Sequence, residues 1–481
     1  MKNQSSKRGV FFTLSAAVLL ANLLVMNDVA TLWDGAEARF VWQSLFEPGA
    51  AYFPHGATAL FSGGTVRAFW LRLPGVLLGL LAAAGVYAIL HPVLGRRATR
   101  WWLLTLGASL LIPQLAKVAA GDIWSFVFQW AAAAALVRFL KQPLLQWRIL
   151  FYLLLLPAIW ADPVSSTLFF TLFPALLNWR HPQGRRLRSL QPWLAAILAA
   201  LLLWSAGAWM NWQRAGFYFT WAPGRYLLFN FLAFLPFLGF AIAGIADAVG
   251  KMRRGEELSL LFICWVVSAL LVQSLLLQAG LAFLVGKQLH LYFQANYPYR
   301  SWVRAGAVIH LILVFFLIMG LMLYGFGQFG GLGFRAAMGF GAVYWMAGFI
   351  AVIGLFGMNR RFVWGGTVFG TLAAVLLFWL QLYPLIESRR DVPKRLAAAA
   401  AGAECRLAAS SGTPGNEALY LRAACEQLLV VPVDELPEDT GESVWILPVD
   451  TMSAGAALEE AEVIKGWDDK GREVSWWVVR K

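Results

Sequence analysis

Long apolar runs follow one another along this chain, and bursts of Lys and Arg fall in every second gap between them. A run of about 20 apolar residues is long enough to cross a bilayer as a helix. Only a helix satisfies its own backbone groups there. We read spans near 10–31, 69–90, 101–118, 122–139, 145–161, 163–179, 192–212, 226–248, 258–284, 286–303, 305–325, 336–357 and 362–384. With 60% of its 481 residues hydrophobic and 14% charged, a soluble chain could not hide its apolar surface. The expected class is an all-α polytopic membrane protein of about 13 transmembrane helices.

The charge pattern also orients the chain. Arg96, Arg97 and Arg100, then Arg138, Lys141 and Arg148, then Arg180, Arg185, Arg186 and Arg188 occupy alternate loops, as do Lys251, Arg253 and Arg254 and, later, Arg360 and Arg361. Lys2, Lys7 and Arg8 at the start match them, so these loops are expected in the cytoplasm. A net charge of +13 confined to such loops is a membrane signature, and no nucleic-acid partner is expected. The first span lacks a small-residue cleavage site and is expected to be retained. The stretch 286–303 is too polar to face lipid. Counting it as a crossing keeps Arg360 and Arg361 cytoplasmic, whereas counting it as a re-entrant loop would put them outside. As a crossing it would line an enclosed cavity.

The intervening loops face the other side and hold Asp34, Glu37, Asp122 and Asp162. The densest group is Trp33-Asp34-Gly35-Ala36-Glu37-Ala38-Arg39, directly after the first span. Ionisable groups beside lipid are costly to keep, which marks this cluster as a candidate active site. Asp162-Pro163 has the form of a helix cap followed by an N1 proline, and Asp122 could cap the fourth span. Arg72 could extend its charge to the interface at the head of the second span. Arg300 and Arg304 have the place of cytoplasmic anchors, and most of the 24 tryptophans suit interfacial belts.

Composition changes near residue 386. We divide the chain into a membrane domain, 1–385, and a soluble α/β domain, 386–481. In the latter, 392–409 and 415–428 have helical composition, while Leu428–Val433, Val444–Val449 and Ser475–Val479 have the pattern of strands. Cys264 is expected to be an inert apolar filler. Cys405 and Cys425 could close a disulfide if the domain is exported.

The order of these features resembles the GT-C superfamily of polytopic glycosyltransferases, within it the protein O-mannosyltransferase and lipid A aminoarabinose transferase group. The resemblance rests on Asp34, Glu37, Ala38 and Arg39 after the first span, and on Arg72-Leu73-Pro74 leading into the second. It continues in Asp122 after Ala119-Ala120-Gly121, in Lys287, Tyr292 and Pro298 within the polar stretch, and in a small outer C-terminal domain. It covers the whole chain in architecture through short motifs. Gly35-Ala36 intervene where the family has adjacent Asp and Glu. Tyr52-Phe53-Pro54-His55-Gly56 stands near the place of its Lys-Pro-Pro loop, and Ala161-Asp162-Pro163 replaces its Lys-Gly-Pro.

The resemblance implies transfer of a sugar from a polyprenyl-phosphate carrier to a lipid, glycan or protein acceptor at the outer face of a bacterial inner membrane. A carboxylate must then take the acceptor proton, which assigns Asp34 as base with Glu37 and Asp122 beside it. The phosphate leaving group needs positive charge, expected from Lys287 and Arg72 with His290 and Tyr292 nearby. Arg39 would orient the acids by a bidentate contact. No metal ligand set is legible, although the acids could host a divalent ion. The alternative from another class is a lipid or solute transporter or flippase. Neither repeat symmetry nor paired interrupted spans support it.

Overall fold

The structure is a computed structural model, and it describes residues 2–27, 35–46, 53–63, 65–119, 121–180, 196–200, 223–409, 416–432, 444–448, 461–468 and 471–479. Its helices in chain order are α1 (Lys2–Leu24), α2 (Gly35–Phe46), α3 (Phe53–Ser62), α4 (Ala68–Leu94), α5 (Arg96–Gly107), α6 (Ile112–Leu115), α7 (Gly121–Lys141), α8 (Leu145–Ala161) and α9 (Pro163–Arg180). After them come α10 (Pro223–Ala233), α11 (Leu238–Arg253), α12 (Glu257–Val272), α13 (Leu276–Leu291), α14 (Arg300–Phe356), α15 (Arg360–Arg390), α16 (Val392–Ala399) and α17 (Asn416–Ala424). Five strands complete the chain: β1 (Glu404–Ala409), β2 (Gln427–Pro432), β3 (Val444–Pro448), β4 (Ala461–Trp467) and β5 (Glu473–Val479). Among the described residues, five helices are long and apolar enough to cross a membrane. The span expected at 192–212 lies outside the described residues except for 196–200.

The contacts divide the chain into two compact units. The first comprises Met1–Val25, Gly75–Lys117 and Gly121–Leu382; the second comprises Met26–Pro74, Val118–Ala120 and Tyr383–Lys481. The segment that carries Glu37 thus groups with the C-terminal residues from Tyr383 on.

The first unit is a helical bundle. Trp102 sits at its centre, with the rings of Trp130, Phe262, Trp265 and Phe283 around it and its indole N–H donating to the Ala279 carbonyl at 2.7 Å. Some polar side chains inside the bundle pair with one another. The Gln129 amide donates to Ser125 and Ser166 and accepts from Ser274. Helix α14 is a hairpin rather than one rod. Gly330 has φ +61°, which a glycine adopts without strain, and it reverses the chain between the spans expected at 305–325 and 336–357. The α11–α14 contact is as close: a Cβ on Gly306 would run into the backbone of Gly239.

Two expectations about spans are corrected. The run 258–284 is a helical hairpin, α12 and α13, turned by Gln273 in the left-handed region with φ +57°. The polar stretch 286–303 is neither a crossing nor a re-entrant loop. It is the end of α13, a turn over 292–299 and the start of α14. Its polar groups have partners at these ends: the Tyr297 hydroxyl donates to Gln288 at 2.7 Å, and Arg300 donates to the carbonyls of Gln294 and Ala295.

The C-terminal part of the second unit is a sheet of order β2-β1-β3-β5-β4, parallel at β2-β1-β3 and antiparallel at β3-β5-β4. Residues 404–409, expected as helix, form β1. Pairing on both sides outweighs the helical preference of its alanines. Strand β4, not expected from the sequence, pairs with β5. One face of the sheet packs on α16 and α17 around Val392, Leu396, Leu407, Leu421 and Ile446. Cys405 and Cys425 are disulfide-bonded in that core, with Cα atoms 6.0 Å apart.

Candidate functional site

Helix α2 begins at Gly35, inside the acidic cluster. Asp34 itself lies outside the described residues. Glu37, in the first turn of α2, is fully buried, and its carboxylate takes both Nε and Nη2 of Arg72, at 3.0 and 3.1 Å. The Ala119 backbone N–H donates to Glu37 Oε1 at 2.7 Å, and Arg72 Nη1 donates to the Asn27 carbonyl at 3.3 Å. Arg72 is 1% exposed. This bidentate, charge-assisted pair ties three distant pieces of chain together. Glu37 thus anchors the Ala119 amide, and its charge is paired with that of Arg72. The contact with the acid that was expected of Arg39 is made by Arg72. Arg39 is half-buried and makes no ion pair among the described residues.

Nearby in the same unit, His55 on α3 shares a 2.7 Å hydrogen bond with the Ser44 hydroxyl and packs on the Phe40 ring. Burial pushes its pKa down to about 4, so it is neutral at physiological pH.

In the first unit, Asp122 stands exposed in the first turn of α7. Asp162 follows α8. Its Oδ1 accepts the Ser165 backbone N–H at 2.9 Å, the cap expected of it, and Ser125 donates to its Oδ2 at 3.4 Å. Burial, with the charge of Asp122 nearby, pushes the Asp162 carboxyl up to about 6. Sequence reasoning overlooked Lys117, a lone cation five residues before Asp122 in an otherwise apolar segment. It is 2% exposed; its ammonium donates to the Val25 carbonyl at 2.7 Å and lies 3.5 Å from the Trp379 ring centroid. Next to it in the chain, Ala116 lines an apolar cleft whose walls include Leu19, Val76, Leu80, Phe126 and Trp130.

The remaining expected residues stand at the other end of this unit. Helix α7 ends at Lys141, which meets Glu257 at 2.8 Å, and the adjacent Glu256 pairs with Lys287 at 3.6 Å. Lys287 thus faces the basic turn after α11, a full α7 length from Asp122. His290, one turn on, is half-buried. Tyr292 is fully buried; its hydroxyl donates to the Leu355 carbonyl at 2.7 Å and accepts from Arg304 at 3.2 Å. It secures the turn between α13 and α14. The structure does not bring these three residues to the acids of this unit. Among the described residues, no three His, Cys, Asp or Glu side chains gather as a metal site.

No protein-family model matches the sequence, and no curated protein matches it. Solved structures do. The chain superposes on ArnT from Cupriavidus metallidurans bound to undecaprenyl phosphate with a TM-score of 0.68, at 16% identity over 97% of each chain. The apo state of that protein matches with a TM-score of 0.65, at 16% identity over 98% of each chain. Over 97% of its length the chain has the fold that ArnT takes.

Proposed function

We propose that this protein is an integral-membrane glycosyltransferase that moves a sugar from a polyprenyl-phosphate carrier to an acceptor at the outer face. The observation that carries the reading is the full-length correspondence with ArnT, whose solved structure holds undecaprenyl phosphate. The apolar cleft that Ala116 lines supports it, because a prenyl tail needs such a groove, and the buried Lys117 follows Ala116 in the chain. Two carboxylates at the head of α7 and α9, Asp122 and Asp162, add the acid chemistry.

In the proposed step, an acceptor oxygen attacks the anomeric carbon. The bond from that carbon to the phosphate oxygen breaks, and the phosphate leaves with the electron pair. If the acceptor is a hydroxyl, its proton passes to Asp34. Lys117 is the cation we assign to the leaving phosphate, whose charge grows toward the transition state.

The test is transfer by the purified, reconstituted protein from a set of polyprenyl-phosphate sugars, with mass spectrometry of the lipid that co-purifies. Asp34→Asn should lower turnover by roughly 10²-fold or more with the fold intact. Movement of labelled lipid across the bilayer with no sugar transferred from any donor would replace the enzyme reading with the flippase one.

A further inference from the structure

The second unit joins the acidic loop to the C-terminal domain through helix α17. Trp42 and Phe46, on the same helix as Glu37, face that domain. Trp42 packs against the core built from Val392, Leu396, Leu421 and the two disulfide cysteines, and the Arg422 guanidinium lies 6.0 Å from the Phe46 ring centroid. Tyr420, also on α17, is buried within electrostatic range of Arg72. The end of α17 is in turn fastened to the start of β1. The Gly402 N–H donates to the Ala424 carbonyl and the Glu426 N–H to the Ala403 carbonyl, both at 3.1 Å, and the Cys405–Cys425 bond lies between them.

We infer that the C-terminal domain is a working part of the transferase site: Trp42 is a positioning residue, and the Cys405–Cys425 disulfide holds α17 so that the Glu37–Arg72 pair keeps its register. The pair fixes the Ala119 amide, so a shift of α2 is passed to the backbone at Ala119. The carboxylate–guanidinium pair tolerates little displacement, because both nitrogens must stay in hydrogen-bond reach of one carboxylate. Sugar transfer then depends on an oxidised C-terminal domain, although neither cysteine touches substrate. This inference rests on the transferase reading for its kinetic consequence alone; the mechanical coupling stands apart from it.

The experiment uses the full-length protein in nanodiscs and three variants: Trp42→Ala, Trp42→Phe as the conservative partner, and Cys405→Ala/Cys425→Ala. Hydrogen exchange is followed in the peptides covering α2 and Ala119, and turnover and donor KM are measured separately. Trp42→Ala and the double cysteine variant should speed exchange at both peptides by roughly ten-fold and lower kcat by a similar factor, with donor KM unchanged. Trp42→Phe should restore both. Exchange at the Ala119 peptide that stays at the parent's rate in Trp42→Ala overturns the inference, whatever the cysteine variant does. If that variant does not fold, Trp42→Ala and Trp42→Phe decide alone. Altered exchange in a protein whose parent transfers no sugar sinks the proposed function and leaves the coupling intact.

Discussion

Replacing Glu37 by Gln separates a structural acid from a catalytic one. In the parent, a fully buried carboxylate neutralises an arginine that is 1% exposed. The amide oxygen that the substitution introduces can still accept the Ala119 N–H, so that bond is retained. What is lost is the charge, and Arg72 is left buried without its counter-ion. Breaking a buried pair by removing one partner typically costs about 3–5 kcal/mol. For a unit of this size each kcal/mol lowers the midpoint by about 2–4 °C, so melting should fall by roughly 6–20 °C. The assay is thermal unfolding in nanodiscs followed by near-ultraviolet circular dichroism. Glu37→Gln with Arg72→Met removes both charges and should recover most of the loss, since apolar replacement of a whole buried pair is often close to neutral. If Glu37→Gln melts within about 2 °C of the parent while turnover collapses, Glu37 is a proton acceptor and the supporting role assigned to it is wrong.

Lys287→Met should leave donor KM and turnover at the parent's values and cost about 0–1 kcal/mol, because its partner Glu256 is 41% exposed; a raised donor KM would return the phosphate to the basic end. His55 is held neutral, with its pKa lowered from 6.5 to about 4. The unfolded chain therefore takes up a proton there first, and the contribution is whole above pH 6.5 and lost as pH falls toward 4, about 3 kcal/mol in all. A His55→Asn protein whose stability falls as steeply over that window as the parent's would refute this. Gly306→Ala forces a methyl group into the Gly239 backbone and should destabilise by about 1–3 kcal/mol or more; unchanged melting would mean that α11 and α14 do not pack so closely.

Much of this protein was legible without coordinates. Apolar length marked the segments expected to leave water, and Lys and Arg marked the loops expected in the cytoplasm, because both are local transfer energies summed along the chain. The reversal at Gly330 fell between two spans already separated by glycines, and the caps at Asp162 and Pro163 were signalled by residue type. Cys405 and Cys425 were a plausible pair before any geometry. The hairpin at Gln273 was hidden because one left-handed residue suffices to turn an apolar run, and hydropathy is blind to it. The polar stretch after Gly286 misled for a related reason: polarity says that a segment avoids lipid, and a turn at the helix ends avoids it as well as a lined cavity does.

Only the tertiary structure decided what the charges do. A bilayer offers every span the same apolar surroundings, so no property of a single span says which others it touches. Glu37 and Arg72 are 35 residues apart and Glu37 and Ala119 are 82 apart, and no periodicity links them. Their contact exists because burial removes water as the competing partner and makes an unpaired charge too costly to leave. The same long-range packing gathered Glu37 with the C-terminal domain and set Lys287 beside Glu256, a whole helix from Asp122. Sequence determined the apolar helices and the kinds of residue available to them; that Glu37 is paired with Arg72 and the Ala119 amide was settled by contacts between segments far apart in the chain.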